Sequence, residues 1–219
     1  MKNFLPVLQT CALFADIRPE DIPGMLSCLG AFVRDVKKNQ QILTEGDPAQ
    51  YVGIMLSGSA NTVKQDFYGN RSIVARIAPG DMFGESFACA GVPAIPVSVV
   101  ANEDSRVMLI PCQRITVGCA NACSFHSRMI FNLLKAIAAK NLEFHQKLEI
   151  TAHRTTREKL MAYLQTQAKL LGSNTFTIPY DRQSLADYLG VERSAMSAEI
   201  SKLRSDGVLL STRNRFTLL

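Results

Sequence analysis

Residues 181–210 read DRQSLADYLGVERSAMSAEISKLRSDGVLL. Leu185, Ala186 and Leu189 form one short apolar helix face, Gly190 permits a sharp turn, and Val191 plugs it. Ala195, Met196, Ile200 and Leu203 give the inward face of a second helix. A small residue where two helices cross and a glycine in the turn are helix-turn-helix features. The outward face of the second helix carries Glu192, Arg193, Ser194, Ser197, Ala198, Ser201 and Lys202. Its early residues are short or forked polar groups, which suits a helix whose N-terminal end enters a major groove. Arg193 can donate two bonds to guanine O6 and N7, and Ser194 or Ser197 can serve a base or a phosphate. Lys202, Arg204 and Arg182 suit backbone phosphate, which positions without specifying.

Working outward, Gly207 ends the second helix. Val208–Ser211 and Arg215–Leu219 read as two short strands around the turn Thr212-Arg213-Asn214, a β-wing in which Arg213 and Arg215 are placed to touch phosphate. Upstream, Thr155 and Glu158 have capping-box spacing. They open a helix that runs through Leu160, Tyr163, Leu164 and Leu171 and stops at Gly172. Asn174–Pro179 reads as a short strand. This tail is basic: residues 151–219 carry 10 Lys and Arg against 6 Asp and Glu, whereas residues 1–150 carry 14 against 13. The asymmetry hints at a polyanionic partner.

Residues 124–149 contain neither glycine nor proline. Ile130, Leu134, Ile137, Asn141, Phe144 and Leu148 recur at alternating spacings of four and three. Such a heptad seam predicts a long helix that pairs with a copy of itself, and one polar residue on it, Asn141, fixes register and oligomer number. A helix packed on its own domain, with Asn141 at a wet edge, is the other reading of the same residues.

Residues 32–111 read as strands and turns. Short apolar or alternating runs (Tyr51–Leu56, Ser59–Lys64, Ser72–Ile77, Val97–Ala101, Arg106–Ile110) lie between recurrent glycines and prolines. Strands at nearly regular spacing predict an antiparallel barrel or jelly roll. Tyr68-Gly69-Asn70 reads as a hairpin tip. A short helix over Pro19–Leu29 precedes the block, with Asp16 as its cap.

Composition excludes several classes. Apolar residues are 47% and charged residues 20% of 219, which is globular rather than disordered. The sequence has no apolar run of 18 residues, so a spanning helix is not expected. The opening residues are too broken for an export signal, and the expected compartment is the cytoplasm. There the six cysteines (Cys11, Cys28, Cys89, Cys112, Cys119 and Cys123) default to thiols. No C-x-x-C pair occurs. An enzyme using Glu85 or a cysteine nucleophile is a weak reading, since no His–Cys or carboxylate pair has useful spacing.

Taken together, Leu13-Phe14 before a short helix, the strand block with Glu45-Gly46-Asp47 and Gly58, the run Gly80-Asp81-Met82-Phe83-Gly84-Glu85, the long helix and the C-terminal motif resemble the CRP/FNR family of bacterial transcription regulators. The resemblance spans essentially the whole chain. It implies an α+β chain of two domains. Residues 1–122 would be a cyclic-nucleotide-binding-type double-stranded β-helix (jelly roll), 123–152 a dimerisation helix, and 153–219 a winged helix-turn-helix. It implies a homodimer on palindromic double-stranded DNA, with RNA polymerase as a candidate further partner and no membrane. The family's base-reading positions fall on Arg193, Ser194, Ser197 and Ala198; the last departs from the arginine usual there. A constitutive repressor or architectural protein, whose β-domain is only a dimer platform, is the alternative.

The signal is less legible. In cyclic-AMP-responsive relatives, Gly and Glu of the cassette contact the ribose and its surroundings, and an Arg then a Ser hold the cyclic phosphate. Gly84 and Glu85 are present, but Ile95 and Pro96 stand at the Arg and Ser positions. A phosphate without its guanidinium partner is a poorly compensated charge, so cyclic AMP is not expected. Ser86–Gly91 can form a short helix whose first amides could hold an anion. The lining expected from Phe83, Phe87, Ile95 and Val97 is apolar, fitting a small apolar effector or an ordinary core. The N-terminal cysteine cluster of iron–sulfur relatives is missing. Cys89, Cys112, Cys119 and Cys123 nevertheless count to four soft ligands, leaving packing, thiol redox chemistry, an iron–sulfur cluster or zinc, and haem through His126, His145 or Met129 as readings.

Overall fold

Two four-stranded antiparallel sheets make the first half of the chain. Their strands are β1 (Phe32–Val36), β2 (Gln41–Leu43), β3 (Tyr51–Ser57), β4 (Ala60–Gln65), β5 (Arg71–Ile77), β6 (Met82–Phe83), β7 (Ser98–Ala101) and β8 (Ser105–Pro111). The strand orders are β1-β8-β3-β6 and β2-β7-β4-β5, the crossed order of a jelly roll. The computed structural model of the chain describes residues 4–117 and 124–219. Cys119 and Cys123 lie outside them.

Strands β3 and β8 are apolar on both faces. Val52, Ile54, Met108 and Ile110 pack outward under a helical layer, while Met55, Val107 and Leu109 pack inward between the sheets. The helical layer comprises α1 (Leu5–Thr10), a 3-10 turn (Ala12–Phe14) and α2 (Ile22–Cys28), which contribute Leu8, Leu13, Phe14, Ile22, Met25 and Leu26. The α2 helix is shorter than the sequence predicts. It starts after Asp21 with Pro23 in its first turn, and Asp16 sits in a turn at φ 57° instead of capping it. Proline is tolerated in a first helical turn, where its missing N–H is unneeded. The predicted hairpin tip is present: the Asp66 carboxylate accepts from the amides of Tyr68 and Asn70 around Gly69.

Two short helices follow the cassette and the last strand, α3 (Glu85–Ala90) and α4 (Cys112–Thr116). Helix α5 (Ser124–Ala152) then runs 29 residues. Its Met129, Leu133 and Ala136 complete the outer core. Between them is buried Asn132, whose amide donates to Leu13 O at 3.1 Å and Ala15 O at 2.7 Å, satisfying carbonyls at the end of the 3-10 turn.

The chain separates into two compact units, one running to residue 141 without residues 71–73, the other taking 71–73 with 142–219. The second unit holds α6 (Thr156–Leu171), β9 (Thr175–Thr177), α7 (Arg182–Leu189), α8 (Arg193–Ser205), β10 (Leu209–Thr212) and β11 (Arg215–Leu218). Thr155 and Glu158 close both bonds of the capping box. Asp181 caps α7 through the Ser184 amide, and Gly190 takes the left-handed conformation that ends it. Leu160, Leu164, Leu185, Ala186, Leu189, Met196, Ile200, Leu203, Leu209 and Phe216 are buried. The wing has three strands, in the order β10-β11-β9, because β11 pairs on its far side with the segment after α6. Ala195, read as inward, is exposed. The inward stripe of α8 is Met196, Ile200 and Leu203, and residue 195 falls about a quarter-turn off it. Among the described residues no helix is long and apolar enough to cross a membrane.

Replacing Thr155 by Ala removes a reciprocal cap and should cost about 1 kcal/mol. Urea unfolding followed by helical circular dichroism checks this, with Thr155→Ser expected to retain stability.

Candidate functional site

Helix α8 presents an open polar face. Arg193 is its first residue, following Glu192, whose side chain makes no cap. Arg193, Ser194, Ala198 and Lys202 are exposed, and Ser197 is half-buried. The buried Met196, Ile200 and Leu203 hold the opposite face, so the helix cannot rotate these groups away without exposing its core stripe. Arg213 occupies the two-residue turn between β10 and β11 at φ 53°, exposed like Arg215. A left-handed arginine is uncommon outside turns and projects its side chain from the wing tip.

Arg182 is placed differently from the other predicted contacts. Its guanidinium lies 5.0 Å from the Phe216 ring centroid and 3.5 Å from Ser211 Oγ, and Nη1 is buried without a hydrogen-bond partner. Burial, with the positive Arg204, lowers its pKa. It therefore braces α7 against the wing sheet instead of standing on the open face. Arg157, which the sequence does not single out, bonds Asp206 at 3.1 Å and is 4.0 Å from Glu199, tying α6 to the middle of α8 and to its C-cap.

The cassette follows β6. Gly84 is left-handed at φ 76°, and a Cβ there would lie 3.0 Å from Leu43 and 3.1 Å from Tyr51 O. This turn launches α3 with Glu85 buried at its first position. Glu85 Oε1 is 2.8 Å from Lys140 Nζ of α5, and Lys140 also bonds Met82 O. Glu85 Oε2 is buried without a hydrogen-bond partner. Phe83 fills the space between the sheets with Met55, Val99 and Leu109, its ring lying where a Cβ on Gly53 would come within 2.2 Å.

Ile95 is buried, its amide bonded to Asp47 O at 2.8 Å and its carbonyl to Gly46 N at 2.9 Å. Val97 is buried, Pro96 exposed and Ser86 half-buried. The nearby cation Lys64 is occupied by Glu45 and by Pro96 O. These residues do not fit a cyclic phosphate. An apolar side chain stands where a guanidinium is needed, and the cassette carboxylate is paired with α5.

The cysteines divide. Cys11 is buried in the outer core, where it packs as a small hydrophobe, and burial pushes its thiol up to about 11. Cys28 is exposed. Cys89 of α3 and Cys112 of α4 bring their sulfurs to 3.6 Å. Among the described residues no group of three or more His, Cys, Asp or Glu side chains can hold a metal. Of the other haem-ligand candidates, Met129 is fully buried in the core, His145 is exposed, and His126 sits 3.3 Å from Arg114 O with Nδ1 buried and unpartnered. His126 also lines a cavity of about 260 Å³ with Met25, Leu29 and Phe125.

Because Glu85 is 3% exposed, Lys140→Met should strand its carboxylate and destabilise the fold by roughly 3–5 kcal/mol. The double variant Glu85→Gln/Lys140→Met should recover most of that loss in a thermal-unfolding cycle.

Comparison with known proteins agrees with both halves of this geometry. The model of the cyclic nucleotide-binding domain matches residues 33–119, and that of the Crp-like helix-turn-helix domain matches residues 158–219. The transcriptional activator protein FnrL of Cereibacter sphaeroides is 25% identical, over 86% of this chain and 76% of that protein. Among solved structures, FixK2 from Bradyrhizobium japonicum is similar at a TM-score of 0.67 and 23% identity, covering 86% of this chain and 92% of that one. The regulator CLP of Xanthomonas campestris, described as responsive to c-di-GMP, is similar at 0.73 and 17%, covering 90% and 98%. With a β-roll, a long connecting helix and a winged helix-turn-helix in the same order as these regulators, the chain belongs to the CRP/FNR family of transcription regulators.

Proposed function

We propose that the chain is a homodimeric, sequence-specific regulator that binds a palindromic operator and whose DNA affinity is gated by its N-terminal domain. The observation that carries this reading is the open face of α8, where Arg193 and Ser194 stand exposed on a helix held from behind by a buried stripe. Arg193 reads a base, Ser194 and Ser197 serve a base or phosphate, and Lys202 and Arg213 contact backbone. In this reading residues 1–122 sense, 123–152 dimerise and 153–219 bind DNA. The protein works in the cytoplasm, where the DNA is, with RNA polymerase as a further partner.

Dimerisation is supported by the apolar stripe of α5. Ile130 (40% exposed), Leu134 (63%), Phe144 (40%) and Leu148 (64%) line one side of the helix, with Asn141 exposed among them. Ile137, half-buried against the outer core, marks the border of that stripe with the face turned to the β-domain. Two copies that bury these residues form an isologous interface, and a two-fold protein calls for a two-fold site. A second reading, constitutive binding with the β-domain as a platform, is supported by the cassette itself, in which Phe83 and the Glu85–Lys140 pair occupy the interior positions.

Selection of sites from a random duplex library by the full chain should return an inverted repeat. On that site Arg193→Ala should cost about 1–3 kcal/mol and relax one base position, while non-specific affinity changes little. Unchanged specific affinity would remove α8 as the reading helix. Leu134→Glu should shift sedimentation from dimer to monomer without lowering the melting temperature of the monomer, since the side chain touches no core. A wild-type monomer would sink the seam.

A further inference from the structure

Cys89 and Cys112 are far apart in the chain and meet only through the fold. Cys89 lies near the end of α3, exposed, and Cys112 opens α4, buried. Their sulfurs are 3.6 Å apart, so forming a bond requires them to close by about 1.5 Å, within reach of side-chain rotation. A cavity of about 420 Å³ lined by Gln50, Tyr51, Ala88, Gln113 and Thr116 gives a small reagent access to the pair. The opposite end of α3 is already fixed, since Glu85 is held by Lys140 of α5. Helix α3 is therefore tied at its start to α5 and is one covalent bond away from being tied at its end to α4.

We propose that Cys89 and Cys112 are a modification site, a dithiol that hydrogen peroxide converts to an intramolecular disulfide clamping α3 between α4 and α5. This rests on the reading of the N-terminal domain as the gate and supplies the class of signal. In the first step the Cys89 sulfur attacks one peroxide oxygen. An S–O bond forms, the O–O bond breaks, and the departing hydroxide leaves as water with the Cys89 thiol proton. In the second step the Cys112 sulfur attacks Cys89 Sγ, an S–S bond forms, the S–O bond breaks, and the hydroxide leaves as water with the Cys112 proton. Two thiols and one peroxide give one disulfide and two waters, and the sulfurs are oxidised by two electrons in total. Reduction by a small dithiol reverses it.

Burial of the sulfur, then the Cys112 sulfur beside it, push the Cys89 thiol up to about 12. The thiolate is the nucleophile, so the reaction is slow at neutral pH and quickens as pH rises. Once bonded, α3 can no longer shift independently of α4, and its buried carboxylate carries the restraint to Lys140.

The test uses the full reduced chain, hydrogen peroxide as the probe and no DNA. The expected product has lost the mass of two hydrogens and gives a non-reduced peptide joining Cys89 to Cys112. Hydrogen exchange in residues 85–90 should slow by about tenfold on oxidation. Cys89→Ser, at the exposed residue of the pair, should abolish both changes while keeping the fold, and Cys112→Ala should do the same if it folds. The proposal is overturned if Cys89 stops at a sulfinic acid, joins another cysteine or stays unmodified in the folded chain. An 89–112 bond that leaves exchange in α3 unchanged also overturns it. None of these readouts depends on DNA binding, so failure here is separable from failure of the operator selection.

Discussion

Strands β3 and β8 must bury both of their faces, and the rest of the first unit is arranged to satisfy that demand. One face looks into the jelly roll, where Met55, Val107 and Leu109 meet Phe83 and Val99. The other looks outward and would expose Val52, Ile54, Met108 and Ile110 if nothing covered it. At about 25 cal/mol per Å² of apolar area, leaving such a face in water would cost several kcal/mol, so the helical layer is a condition of the fold. Helices α1 and α2 supply part of it, and the first half of α5 supplies the rest.

That constraint determines what α5 can do. Its Met129, Asn132, Leu133, Ala136 and Lys140, which share one helical face, pack on the β-domain. The neighbouring stripe of Ile130, Leu134, Phe144 and Leu148 has no partner among the described residues. Both stripes lie on α5.

The cassette shows how a family fold is refitted. Its glycine turn and short helix persist, since Gly84 is needed for a left-handed backbone pressed against Leu43 and Tyr51. Its polar chemistry does not persist. Ile95 is held by backbone bonds to the Gly46–Asp47 turn, and Glu85 pairs with protein rather than with a sugar. A buried carboxylate with one oxygen paired and the other orphaned is a costly group to keep, so Glu85 depends on the Lys140 ammonium of α5.

Local chemistry was legible from the residues alone. The Thr155–Glu158 box, the Gly190 turn, the α8 stripe and the β3, β4, β5, β7 and β8 runs each depend on neighbours a few positions away, and periodicity or capping spacing reports them directly. Short β2 and β6 were not individually legible, because two or three residues carry too little periodicity, and β1 was not because four of its five residues are exposed. The start of α2 was misplaced because Pro19 and Pro23 both satisfy first-turn sterics. At the candidate sites, Arg193 and Lys202 were correctly read as exposed, while the inward seat of Arg182 and the burial of Asn132 were missed. Long polar side chains can turn toward solvent or core, and only the surrounding packing chooses. The sequence by itself determined the elements, the family and the open face of α8, because these follow from short-range spacing. The tertiary structure alone decided that Glu85 meets Lys140 and that Cys89 meets Cys112, because those contacts exist only where distant segments are brought within a few ångströms by burial of the same core.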